Sequence, residues 1–289
     1  MNQLALLKGV GPADEADSGF PLIKTHYDEK FRVGWCYMHP DARPCFTPAL
    51  MKSLMGYIRR LQLESVESEG QKFDYVVLAS ATEGVFNLGG DLELFYRCVT
   101  EGDRETLQQY ARDCIDLFHE FHTHFGLDLT TISLIQGDAL GGGFESALGA
   151  QVVVAEKGCK MGFPEALFNL FPGMGAWTIL SRKLGTAAAE RMMLDGRVRD
   201  AEELHELGLV DVLAEPGEGE AEVYALIKKR NRQANSYRAL RKVRDTCSSY
   251  SYQEMKDIVD IWVDAAFELD ARDLRMMERL IKRQNRILA

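Results

Sequence analysis

The stretch ALGGGFESALGA, residues 139–150, places three consecutive glycines in front of the carboxylate of Glu145. The apolar run before it, LTTISLIQ at 129–136, predicts a buried strand, and the small residues after it predict a helix that begins near Gly142. The first N–H groups of a helix have no partner within it, and the helix dipole adds positive charge there. Such a loop can hold an oxygen that is gaining negative charge, although tight packing of strand against helix would also explain the glycines.

Two further segments carry related features. VFNLGGDLELF at 85–95 repeats the order of strand, glycine loop and helix, and MGFPEALFNLFPGMGAW at 161–177 brings a second carboxylate, Glu165. Loops on adjacent strands could each donate one N–H to a single carbonyl oxygen. Two such donors together with two carboxylates are the groups that enolate chemistry on a thioester requires.

The pattern along the chain predicts an α/β fold with crossover helices. FPLIKTHYD (20–28) and FRVGWCYMH (31–39) favour a hairpin, and FDYVVLAS (73–80) is typical of a buried parallel strand. Thr47 is the expected N-cap of a helix with Pro48 at its first position. A second long helix is expected over Arg104–Phe125, and the chain reads mainly as helix after Thr178.

Composition limits the classes of function. The 289 residues carry a net charge of −10, which argues against general nucleic-acid binding. No run approaches about 18 apolar residues, and the first twenty residues resemble neither a secretory signal nor a transit peptide. Six scattered cysteines favour reduced thiols, so a cytoplasmic protein without a transmembrane segment is expected.

One basic cluster interrupts this acidic chain between residues 228 and 244. A solvated helix face and a docking surface for an acidic partner are both open readings of it. The cluster consists of Lys228, Lys229, Arg230, Arg232, Arg238, Arg241, Lys242 and Arg244.

LGGDL (88–92), LGGGFE (140–145) and FPEALFNLFPGMG (163–175) together resemble the motifs of the crotonase, or enoyl-CoA hydratase/isomerase, superfamily. The resemblance implies a spiral of ββα units over residues 1–215, with helices over 216–289 covering an acyl pocket, and assembly into trimers or related homo-oligomers. It also implies catalytic carboxylates and an oxyanion hole formed by two backbone N–H groups, with neighbouring glycines against the substrate. The residues concerned are Glu145 and Glu165, Leu88 and Gly142, and Gly89 and Gly141.

Within the superfamily, FNLGGDLELF, GGGFESAL, FNLFPGMGA and IWVDAA resemble the synthases of diffusible signal factors. That resemblance implies dehydration of a long-chain 3-hydroxyacyl group on acyl carrier protein to the cis-2-enoyl thioester, followed by hydrolysis to the free acid. It implies no cofactor beyond the phosphopantetheine that carries the substrate, and contacts to the acyl chain from Met174, Trp262 and Leu280. Some members of the subgroup also bind a sensor protein.

Two other functions remain open, a CoA-linked hydratase or isomerase and a non-catalytic binding module, and neither glutamate is assigned as acid or base. Ser146 lacks the surroundings of a nucleophilic serine, so no covalent acyl-enzyme is expected. His119, His122 and His124 are expected on one helix, at a spacing that does not favour metal binding.

Overall fold

The computed structural model describes residues 19–41, 43–68, 72–247 and 251–285, which form two sheets surrounded by helices. Short 3-10 turns add to them at His124–Gly126 and Pro164–Phe168. The strands are β1 (Ile23–Asp28), β2 (Val33–Met38), β3 (Tyr75–Ser80), β4 (Gly84–Asn87), β5 (Thr130–Ile135), β6 (Gly137–Leu140), β7 (Val152–Glu156), β8 (Lys160–Gly162), β9 (Val198–Asp200) and β10 (Val212–Ala214). The helices are α1 (Pro48–Glu67), α2 (Leu92–Glu101), α3 (Arg104–His122), α4 (Gly142–Gly149), α5 (Ala176–Leu184), α6 (Thr186–Leu194), α7 (Ala201–Glu206), α8 (Gly219–Asn231), α9 (Ala234–Cys247), α10 (Tyr252–Ala266) and α11 (Ala271–Gln284).

The first sheet has the order β1-β2-β3-β5-β7-β10. The predicted hairpin is confirmed, since β1 pairs antiparallel with β2, and all the other neighbours in this sheet are parallel. β5 and β7 are buried along their whole length, as the apolar runs in the sequence predict for strands covered on both faces.

The second sheet, in the order β4-β6-β8-β9, brings the glycine loops together. β4 and β6 pair in parallel, so both strands end at the same edge and their loops lie side by side. The two backbones are in close contact there, because a β-carbon on Gly143 would lie 2.1 Å from the Asn87 carbonyl oxygen. Only glycine fits at that position without moving the neighbouring strand.

Two long helices cover the first sheet on the side of the main core. The Thr47 side chain accepts a hydrogen bond from the Leu50 N–H and caps α1, with Pro48 at the first helical position, as predicted. α3 ends at His122 rather than at the predicted Phe125. His124 and Phe125 have positive φ values of 57° and 59°, which no continuing right-handed helix adopts.

The C-terminal helices fall into two groups. α8 packs along the first sheet. At its beginning, the N–H of Gly219 donates to Glu156 at the end of β7. At its end, Asn231 accepts from the hydroxyl of Tyr75 at the start of β3. α10 packs against α3, and α11 packs against α2 and the 3-10 turn that carries Glu165. The second group therefore lies near the glycine loops.

Candidate active site

Glu145 lies in the first turn of α4, as predicted, and is 2% exposed. Its Oε1 accepts hydrogen bonds from the N–H groups of Met174 (2.8 Å) and Ala176 (2.9 Å). These two amides come from the PGMGAW segment, which the chain places against α4. They fix the orientation of the carboxyl group and stabilise its ionised form, while Oε2 is left for other partners.

Glu165 lies in the 3-10 turn after β8. The residue is partly exposed, but its Oε2 is buried and has no hydrogen-bond partner among the described residues. A β-carbon on Gly141, whose φ is +53°, would lie 2.3 Å from Glu165 Oε1. The carboxyl group therefore lies directly against the glycine loop, and it lines a cavity together with Glu145, Gly90 and Gly142.

Burial raises the pKa of both carboxyl groups above the usual range for glutamate. The amides of Ala176 and Met174 oppose this rise in the pKa of Glu145. The nearby Glu145 adds to the rise in the pKa of Glu165. The pair therefore favours a state with a single proton, and the two amides that donate to Glu145 favour the ionised form of that side chain.

These raised pKa values predict how stability depends on pH. The unfolded glutamate ionises at about pH 4.3, so the folded state binds more protons than the unfolded state above that pH. The free energy of unfolding should fall as the pH rises from there through the raised pKa values. Glu165→Gln, which carries no proton to lose, should raise the melting temperature more at about pH 8 than at about pH 5.

The control for this prediction is Glu190→Gln at an exposed position. It should shift the melting temperature little and equally at both pH values. A Glu165→Gln variant with the same pH dependence as the wild type would contradict the raised pKa.

The structure corrects one of the two predicted oxyanion donors. The Leu88 N–H donates to the Pro44 carbonyl at 2.7 Å, so it is not available to a substrate. The N–H of Gly90, two residues later, has no acceptor among the described residues and lies 3.5 Å from the position of a β-carbon on Gly142. Gly142 begins α4, so its own N–H has no partner within the helix. Gly90 and Gly142 are the candidate pair of donors.

Two side chains that the sequence analysis missed hold the Gly90 loop. The Tyr110 hydroxyl donates to the Phe46 carbonyl and accepts from the Asp91 N–H, both at 2.8 Å. Gln284 donates from Nε2 to the carbonyls of Leu88 and Gly90, at 3.2 and 3.1 Å. No local motif marks either residue, because both reach the loop from distant helices.

A cavity lined by apolar side chains lies beside Glu145 and extends between α1, α3 and the first sheet. Glu145, Gly142, Ser146 and Met174 line one part of it. The Phe46 N–H donates to the Gly89 carbonyl, which places the beginning of α1 beside the glycine loop. Met51, in the first turn of α1, lines the cavity, so the cavity starts near the glycine loops. Its other walls include Leu54, Tyr57, Ile58, Leu117, Phe118, Phe121 and Phe125.

The three residues predicted to contact the acyl chain lie in different places relative to the two cavities. Met174 lines both cavities, and Trp262 lines the one with the glutamates, where its Nε1 donates to the Phe171 carbonyl. Leu280 lines neither and instead packs against the core. Gly89 lies close to the Gly142 amide, since a β-carbon on Gly89 would lie 2.9 Å from the Gly142 nitrogen. The apolar cavity beside Glu145 is therefore walled mainly by α1 and α3, and no residue of α10 or α11 lines it.

Three of the remaining candidate residues have hydrogen-bond partners within the protein. Ser146 donates to the Gly143 carbonyl, one turn earlier in its own helix. His122 contacts the Gly149 carbonyl, and His124 lies beyond the end of α3, where it contacts Thr131 and Asp245.

The basic cluster 228–244 lies where the strands of the first sheet begin. Arg241 pairs with Asp128, just before β5. The glycine loops follow β4 and β6, so this cluster is not beside the glutamates.

With this geometry established, comparison with known proteins gives the family. The family model for enoyl-CoA hydratase/isomerase matches residues 45–261. The chain belongs to this family. It is a crotonase-type enzyme with the α/β crotonase fold, and the fold predicted from the sequence is confirmed.

Individual relatives agree with this assignment. The chain is 28% identical over 202 residues to a putative enoyl-CoA hydratase of Thermus thermophilus, covering 70% of this chain and 75% of that protein. It is 30% identical to the fatty acid oxidation complex subunit alpha of Pseudomonas aeruginosa over 153 residues. These residues make up 53% of this chain and 21% of that protein.

Solved structures show the same fold. An enoyl-CoA hydratase of Bacillus halodurans has a TM-score of 0.76 at 19% identity, over 89% of this chain and 99% of that one. DspI of Pseudomonas aeruginosa has a TM-score of 0.64 at 21% identity, over 83% of this chain and 95% of that one. Within the described part of the chain, no helix is long and apolar enough to cross a membrane.

Proposed function

We propose that this enzyme dehydrates a 3-hydroxyacyl group on acyl carrier protein to the cis-2-enoyl thioester and then hydrolyses the thioester, as a synthase of a diffusible fatty-acid signal. The observation that carries the proposal is the placement of two buried carboxyl groups and two free amides around one cavity, beside an apolar space for a long acyl tail. We infer a homo-oligomer, as in the trimers of the superfamily, and no cofactor beyond the phosphopantetheine arm.

In the dehydration step, the N–H groups of Gly90 and Gly142 bind the thioester oxygen. Glu145, held as a carboxylate by two amides, removes a proton from the carbon next to the carbonyl. The negative charge moves to the thioester oxygen, where the two donors stabilise it. Glu165 gives its proton to the hydroxyl group, which leaves as water.

After dehydration the two glutamates have exchanged protonation states. Glu165 is now ionised and can take a proton from a water molecule as that water attacks the thioester carbonyl. The tetrahedral oxyanion forms at the same two amides, and Glu145 gives its proton to the departing sulfur. Hydrolysis therefore restores both carboxyl groups to their starting state, so one pair of acids serves both reactions.

The apolar cavity gives a prediction about chain length. Ile58 lies on α1 two turns beyond Met51, away from the loops. Ile58→Phe should fill that end and shift the preference towards shorter acyl chains. Ile58→Val, which enlarges the space by one methylene, should shift it slightly towards longer ones, at a cost of about 0.5–1.5 kcal/mol in stability. Competition between substrates of different length measures the shift, and an unchanged preference in both variants would place the tail elsewhere.

The function itself is tested by mass spectrometry of the lipids released by a host that expresses the protein. A new 2-enoic acid should appear with the wild type and disappear with Glu145→Gln and with Glu165→Gln. Absence of a new acid with the well-folded wild type would contradict the proposal.

A CoA-linked enoyl-CoA hydratase is the second candidate, favoured by the relative of that name in Thermus thermophilus. It needs the same pair of acids and the same amides, but it leaves the thioester intact. Rapid hydration of an enoyl-CoA by the purified protein, with no free acid formed from either carrier, would favour this alternative.

A further inference from the structure

The last described helix, α11, carries a stripe of positive charge. Arg272, Arg275, Arg279, Lys282 and Arg283 are all exposed. At 3.6 residues per turn they fall within a sector of about 100° and span about 16 Å of helix. This concentration stands out in a chain whose net charge is −10.

The acids of α11 do not neutralise this stripe. Asp273 accepts hydrogen bonds from Asn169 and from the Asp270 N–H, and Glu278 accepts from the Tyr96 hydroxyl. No ion pair joins any of the five cations to another described residue. The stripe is therefore open to an external partner.

Both ends of α11 touch the candidate active site. Near its start, Asp273 binds Asn169, the residue that follows the 3-10 turn of Glu165. At its other end, Gln284 binds the loop of Gly90. The helix thus runs from one catalytic segment to the other and presents its basic face outwards.

A groove lies between the basic stripe and the turn that carries Glu165. Three arginines of α11 line it together with Met276 and Leu167, which is 51% exposed. Asp270 and Asp273 line it too, but their carboxylates accept from backbone N–H groups in the capping box of α11. Such a surface matches a partner that combines carboxylates or phosphates with an exposed apolar side chain.

We propose that this face of α11 is the docking surface for an acidic carrier protein that delivers its acyl thioester to the two glutamates. The inference rests on the proposed function. It places the docking surface elsewhere than the basic cluster 228–244, one of whose two open interpretations was a surface for an acidic partner. That cluster lies at the opposite end of the first sheet, where Arg241 is already paired with Asp128.

The test is a charge reversal on α11, Arg272→Glu with Arg275→Glu and Arg279→Glu. Its matched control reverses three exposed charges of the other cluster, Arg232→Glu with Arg238→Glu and Arg244→Glu. Each protein is assayed with a 3-hydroxyacyl group on acyl carrier protein and with the same group on pantetheine, which has neither phosphate nor protein, at low and high salt.

With the carrier substrate at low salt, the α11 variant should lose at least about tenfold in kcat/KM, and this loss should shrink as salt is added. Its activity on the pantetheine thioester should be unchanged, and the control should match the wild type on both substrates. An equal loss on both substrates, or a larger loss in the control, would overturn the inference.

Direct binding separates this inference from the proposed function. Acyl carrier protein bearing a non-hydrolysable 3-hydroxyacyl analogue is titrated into each protein by calorimetry. Tight binding by the wild type and weak binding by the α11 variant would support the docking surface even if no acid were released. Equal binding by both proteins, or a change of oligomeric state in the α11 variant seen by light scattering, would contradict it.

Discussion

Replacing Glu145 by glutamine should lower kcat for the proposed dehydration by about 10²- to 10⁴-fold, because an amide cannot accept the proton that the carboxylate would remove. The substitution keeps an oxygen that can accept from Met174 and Ala176, so the PGMGAW segment should stay in place. Stopped-flow or quenched-flow assay of enoyl formation measures the effect. The change should fall mainly on kcat, since the proposed mechanism gives this side chain a part in the chemical step.

The controls for this variant are its melting temperature and Glu190→Gln, an exposed change of the same chemical type. Both proteins should be folded, and the Glu190 variant should keep full activity. A Glu145→Gln variant with unchanged kcat would remove Glu145 from the mechanism.

Replacing Gly142 by proline should lower kcat by about 10²- to 10³-fold, the usual cost of losing one oxyanion donor. Gly142 is the first residue of α4, and this is the position in a helix where proline is favoured. The substitution therefore removes the N–H with little cost to the helix. Both proposed reactions, dehydration and hydrolysis, should slow, because both would place negative charge on the same oxygen.

Gly142→Ala is the matched control. Its β-carbon would lie 3.5 Å from the nearest atoms of Gly89 and Gly90, an ordinary contact, and its N–H is retained. It should keep most of the activity of the wild type. Equal losses in the alanine and proline variants would show that the added carbon atoms matter and the N–H does not.

The parts of this fold that the sequence predicted depend on local patterns. The Thr47 cap, the hairpin and the beginning of α4 at Gly142 follow from neighbours within a few residues, and the structure confirms all three. The end of α3 was harder to predict. The apolar pattern continues to Phe125, although the backbone turns out of the helix at His124.

The sequence predicts which residue types the candidate site contains, but it does not predict which backbone N–H groups point into the cavity. Whether an N–H in the LGGDL loop is free depends on the Pro44 carbonyl, which lies more than forty residues earlier and takes the amide of Leu88. The place of the apolar cavity likewise depends on how α1 and α3 pack on the sheet. Neither relation has a local signature in the sequence.

The basic segments show the same limit. The cluster 228–244 is dense in the sequence, but its three-dimensional position decides its use, and that position is beside Asp128. The basic residues of α11 are less dense along the chain, and they form a stripe only when they are placed on a helix. The hydrogen bonds of Asp273 and Glu278 to Asn169 and Tyr96 can be seen only in the structure.

The most direct test of the central claim, that one pair of carboxyl groups and one pair of amides act twice on the same thioester, is a single turnover in ¹⁸O-labelled water. Purified protein is mixed with a long-chain 3-hydroxyacyl carrier protein, and the products are identified by mass spectrometry. We predict a free cis-2-enoic acid with one ¹⁸O atom in its carboxyl group and a carrier with a free thiol. A 2-enoyl group that stays on the carrier, or a substrate that is not consumed, would contradict the account.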